Sequence, residues 1–136
     1  MSRYISAALA QRIRTSAQNR CGYCLSPQRL VMARLEIEHI IPLIKGGTNN
    51  ESNLWLACPL CNGHKSSKIK AADPKTGKSV PLFNPRTQIW ADHFCWSNGR
   101  CCMNKASLCK GFRLHKASKN QKNGLLEVLR WLQPLP

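Results

Sequence analysis

The chain has 136 residues and a formal net charge of +15, from 21 Lys and Arg against 6 Asp and Glu. That length gives one ordinary domain with a modest core, and 43% hydrophobic residues fit a folded chain rather than a disordered one. No apolar run suits a transmembrane helix or a secretory signal, so a cytoplasmic protein off the membrane is expected, and the excess positive charge favours nucleic acid as partner.

In chain order, the near-fourfold spacing of Ile5, Leu9, Ile13 and Ala17 predicts an amphipathic helix over residues 5–19. Ser26-Pro27 begins a turn. Residues 35–41 alternate enough to read as a strand that Pro42 ends. The segment from Lys45 to Asn50 is a polar, Gly-containing loop. Asn53 to Cys58 reads as a second strand, antiparallel to the first. Residues 62–72 predict a helix, residues 73–78 a turn, and Arg86 to Trp96 a further helix with Trp90, Phe94 and Trp96 in the core.

Beyond Ser97 the composition changes: no acidic residue occurs between His93 and Leu126. Only residues 125–132 have the look of a packed helix. The domain expectation is therefore a folded unit over 1–96, with its core at 21–72, and a basic tail over 97–136 rich in Cys, Lys and Asn. Translation of that tail out of an ancestral frame is one account of it. A lineage-specific basic tail is the other.

Eight cysteines without a secretory signal argue for metal rather than disulfides. Cys21-Gly22-Tyr23-Cys24 and Cys58-Pro59-Leu60-Cys61 are two C-x-x-C pairs, each able to turn two thiolates toward one tetrahedral ion. Together they make a complete four-sulfur structural Zn2+ site. Cys95, Cys101, Cys102 and Cys109 have no ligand spacing and read as free thiols.

Between the pairs lie Glu38-His39 on a strand, Asn53 at the start of the next and Asn62 after the second pair. A neutral imidazole is a suitable base at pH 7, and oxygen ligands from Glu38 and Asn62 suit a hard cation, Mg2+ or Mn2+. Lys45, Lys65 and Lys68 are candidates to hold a phosphate backbone. Glu36 reads as part of a solvated face, or as a carboxylate behind the site. His64 reads as solvent-facing and Arg86 as a candidate DNA contact, while His93 and His115 stay unassigned.

Cys21-x-x-Cys24, Glu38-His39-Ile40-Ile41-Pro42, Gly46-Gly47, Asn53-Leu54, Cys58-x-x-Cys61-Asn62 and Lys65 together resemble the HNH endonucleases, in their zinc-stapled branch. The resemblance spans residues 5–96. It implies an α+β fold with a small ββα-metal core and flanking helices. It further implies a metal-dependent endonuclease acting on nucleic acid, by family DNA. Carried over, His39 is the general base and Glu38 the acidic metal ligand. Asn53 pins the loop and orients the histidine, and Asn62 is the second metal ligand where the family has His or Asn. The alternative is a non-catalytic zinc-containing module that binds nucleic acid, and a structural protein of a nucleoprotein complex ranks behind it.

Overall fold

A computed structural model describes residues 4–72, 77–97 and 100–103, with 95–97 and 100–103 described by backbone only. The expected helix over 125–132, the origin of the tail and Cys109 lie outside the described residues. So do most of the expected turn at 73–78 and the side chains of Cys95, Trp96, Cys101 and Cys102.

Helix α1 spans Ala7–Ser16, shorter than the spacing predicts at both ends. Ser6 caps it by accepting from the Leu9 amide, which satisfies one of the donors a first turn leaves open. Gln18 and Asn19 both take positive φ, which stops the helix before the first cysteine pair. Ile13 is fully buried and Ala17 nearly so, and both face the rest of the fold.

Strand β1 (Glu36–His39) pairs antiparallel with β2 (Leu54–Ala57), in the register Glu36↔Ala57 and His39↔Leu54. Leu54, Leu56 and Ala57 of β2 are buried, so this hairpin carries the core. Gly22 seats the first knuckle on it, donating from its amide to the Leu56 carbonyl at 2.8 Å. A Cβ on Gly22 would fall 2.4 Å from the Trp55 ring, so only glycine allows this approach.

Helix α2 is Pro59–Lys65, not the longer 62–72 segment. It starts early because Cys58 takes the cap position, its sulfur accepting from the Cys61 amide, and Pro59 fits the first turn. It stops at Ser66, where φ is 50° and ψ is −136°, so no further turn can form. Lys70–Ala72 instead forms β3, paired antiparallel with β4 (Ser79–Pro81).

The expected helix over 86–96 is absent as well. Asn84 takes the local backbone for itself: its Oδ1 accepts from the Arg86 amide, and its own amide donates to the Gln88 side chain. A short 3-10 turn at Trp90–Asp92 follows, then β5 (Phe94–Ser97) and β6 (Arg100–Met103), paired as a hairpin. The expected boundary at 96/97 thus falls inside a hairpin.

The described chain is therefore α+β, with two short helices and three two-stranded sheets. Its core joins Tyr23, Leu35, Leu56, Phe83 and Phe94 to the four knuckle cysteines. Phe83 meets Phe94 edge-on at 5.1 Å, and Trp90 packs on Phe94 while donating its indole N–H to the Tyr23 carbonyl. No helix among the described residues is long and apolar enough to cross a membrane.

Candidate active site and metal centre

The two C-x-x-C turns meet because the first is tied to β2 and the second continues from it. All four sulfurs of Cys21, Cys24, Cys58 and Cys61 lie within 4.8 Å of one another, and all four residues are buried. Cys24 and Cys58 sulfurs are 3.8 Å apart. A tetrahedral zinc with sulfur at about 2.3 Å has an edge of about 3.8 Å, so the donor set fits that ion. Packed together without a cation, two of these thiols resist ionisation: burial pushes Cys21 up, and hydrogen bonding with Cys21 first among its neighbours raises Cys61, while hydrogen bonding with Cys21 lowers Cys24. A dication bound at the centre reverses that cost, because thiolates are its ligands.

Next to this cluster, β1 presents Glu36 and Glu38 toward α2. Glu38 is 2% exposed and held from two sides. The Tyr23 hydroxyl donates to its Oε1, and the Lys65 ammonium lies 3.4 Å from Oε2. Burial pushes the Glu38 carboxyl above the usual carboxylate range, and Lys65 and then Tyr23 oppose that shift. Oε2 accepts no hydrogen bond although it is buried.

Lys65 is also 2% exposed and donates to the His39 carbonyl at 3.0 Å. It faces inward, where it carries the countercharge of Glu38 and ties α2 to β1, not outward to phosphate. The surface lysines near the site are Lys45 and Lys68, both exposed. Arg86 lies over the Trp55 ring at 5.1 Å and donates to the Leu54 carbonyl, so it braces β2 rather than reaching out.

Asn62, half-buried on α2, donates to Glu36 Oε2 at 2.6 Å. Glu36 is thus exposed, as a solvated face requires, and also engaged behind Asn62. Asn62 is thus hydrogen-bonded to Glu36, while Glu38 is held by the Tyr23 hydroxyl and by its ion pair with Lys65. Three oxygen-bearing side chains therefore border the β1–α2 contact, and their chemistry suits a hard divalent cation. His64 is exposed, as expected.

His39 ends β1 half-buried, with Nε2 2.7 Å from the Asn49 Oδ1. Asn49 sits on the loop between the strands. Asn53 closes that loop: its Nδ2 donates to the carbonyls of Ile41 and Thr48, and its Oδ1 accepts from the Ile41 amide, each at 2.9 Å. The side chain acts as a strand partner where the backbone ladder has ended. Gly47 completes the closure, since a Cβ there would lie 1.7 Å from the Ile41 carbonyl oxygen. Arg12 then fixes the loop to α1 through an ion pair with Glu51 at 3.1 Å.

Asn53→Ala removes three hydrogen bonds at once and unties the loop from Ile41. The expected loss is about 1–3 kcal/mol of stability, read by thermal or denaturant unfolding.

Tyr23 and Asn49 are absent from the sequence expectations although they touch the two central side chains. A Tyr inside a C-x-x-C turn, next to a buried acid, is a signal that could have drawn attention to the first. Nothing local marks Asn49 within a polar loop.

Residues 21–68 match the family model described as HNH endonuclease. The match covers 48 of the chain's 136 residues. No curated protein and no solved structure matches the chain. The matched segment contains both cysteine knuckles, the β1–β2 hairpin with its closed loop, and α2, which are the elements that bring the four cysteines together and place Glu38 and His39.

Proposed function

We propose that the protein is a metal-dependent endonuclease that hydrolyses phosphodiester bonds in nucleic acid, DNA foremost. The observation that carries this reading is His39, held by a closed loop at the end of β1, beside a carboxylate and a carboxamide of the HNH segment. His39 acts as general base and takes a proton from water, which attacks phosphorus in line. Glu38 and Asn62 would hold a divalent cation, Mg2+ or Mn2+, with Glu38 Oε2 as the oxygen that accepts no hydrogen bond. When bound, that cation neutralises charge on the phosphate and on the leaving oxygen. Asn53 contributes by closing the loop next to His39. The four cysteines hold a structural Zn2+ that braces the hairpin against α2.

Lys45 and Lys68, both exposed, are the proposed phosphate contacts, and affinity should fall steeply as salt rises because each such contact releases counterions. The products of this chemistry are 5′-phosphate and 3′-hydroxyl ends. The nuclease unit includes the β5–β6 hairpin, and the protein works in the cytoplasm.

The buried pairing of Glu38 with Lys65 favours a second reading, a zinc-containing module that binds nucleic acid without cutting it. Supercoiled plasmid incubated with purified protein separates the two. Nicking with Mg2+ or Mn2+, lost on chelation, supports the nuclease. Salt-sensitive binding with no nicking under either metal supports the module. Among variants, Asn62→Ala should regain part of its rate at high Mn2+ and Asn53→Ala should not.

A further inference from the structure

The loop that carries Asn49 is fixed at four points. Asn53 grips it from within, Gly47 packs on the Ile41 carbonyl, the Gly47 amide donates to the Pro42 carbonyl, and Arg12 holds Glu51. Such a loop presents the Asn49 side chain at a fixed place. Its Oδ1 lies 2.7 Å from Nε2 of His39.

A carbonyl oxygen only accepts, so the nitrogen facing it must carry the proton. In a neutral imidazole the other nitrogen is then unprotonated, and the hydrogen bond of one nitrogen decides what the other can do. We infer that Asn49 is a positioning residue, which fixes His39 in the Nε2–H form and leaves Nδ1 as the nitrogen that accepts a proton from water. Without Asn49 the ring still sits on β1, but it turns about its side-chain bonds and populates both tautomers.

The inference rests on the nuclease reading for its consequence, though not for its geometry. It assigns Asn49 a task separate from that of Asn53: Asn53 shapes the loop, and Asn49 touches the ring. It also predicts a rule for substitution at position 49. An oxygen acceptor facing the ring is needed, so Asp serves and Ala does not.

The test is 15N–1H correlation spectroscopy of the His39 ring in the full-length, metal-loaded protein, at a pH where the imidazole is neutral. Wild type should show one pyrrole-like Nε2, one pyridine-like Nδ1, and an Nε2–H proton slow enough in exchange to observe. Asn49→Asp should keep that signature. Asn49→Ala should lose the protected proton and move both nitrogens toward a mixture, while unfolding and metal content stay near wild type. In single-turnover cleavage Asn49→Ala should fall about 10–100-fold, as for other groups that orient a functional imidazole, with Asn49→Asp largely restored. A protonated Nδ1 in wild type, or an Asn49→Ala spectrum identical to wild type, overturns the assignment. If wild type cuts no nucleic acid, the nuclease reading fails, and the spectra still decide whether Asn49 fixes the ring.

Discussion

Cys58→Ser should strip the protein of its structural metal and of most of its fold. Cys58 is a member of the sulfur cluster at the start of α2, and because serine can still cap the helix, the loss falls on the metal site that ties the helix to the hairpin. Cys24 and Cys58 are 34 positions apart, so the ion closes a loop that contains all of β1 and β2. Binding free energy at such a site is folding free energy, on the order of 10 kcal/mol for zinc. A domain of this size is stable by only about 5–15 kcal/mol, so the loss is of the same order as the whole. Metal content after desalting, together with a thermal melt, reads the outcome. Stoichiometric zinc in Cys58→Ser, or none in wild type, contradicts the structural role. Cys102→Ser should retain the metal.

Lys65→Met should cost about 3–5 kcal/mol, because it leaves the Glu38 carboxylate buried without its countercharge. Tyr23 alone then holds that carboxylate. Glu38→Gln has the mirror defect, a buried ammonium whose remaining partner is the His39 carbonyl. The double variant Glu38→Gln, Lys65→Met buries no charge at all, keeps an acceptor for Tyr23, and should be markedly more stable than the sum of the two single losses implies. A double-mutant cycle in denaturant measures that coupling. Additive losses would show that the two side chains do not act as a pair. If Lys65 instead reached phosphate, Lys65→Met would weaken binding to DNA while the melting temperature held.

The paired knuckles and the strand–strand–helix order were legible because they depend on spacing. Two residues between cysteines, and an apolar run from Leu54 to Ala57, are local facts. The length of α2 was not. Nothing in a Lys-Ser-Ser-Lys run announces that Ser66 takes a left-handed φ, and the missing turns turned Lys68 into a loop residue. Lys65, one turn from Lys68, reads as a phosphate contact, yet it faces inward. Its inward direction is set by Glu38, 27 positions earlier, whose burial becomes visible only once β1 and α2 are packed. The helix expected over 86–96 failed for a local reason: the Asn84 and Gln88 side chains compete for the backbone groups that a helix would use. Asn53 was found through its place in the family motif, and its three hydrogen bonds give the physical content. Asn49 and Tyr23 act across 10 and 15 positions, on His39 and Glu38, and sequence alone places neither.

The most direct test is the cleavage of one end-labelled duplex by wild type and His39→Ala, at equal protein excess, with Mg2+ or Mn2+ present. His39 is half-buried at a strand end, so its truncation opens no large cavity, and the variant should fold, keep its zinc and bind the duplex as wild type does. Loss of a general base typically slows the chemical step by ~10²–10⁴-fold, and the account predicts a fall in that range, with 5′-phosphate ends in the wild-type products. Equal rates for the two proteins would contradict it.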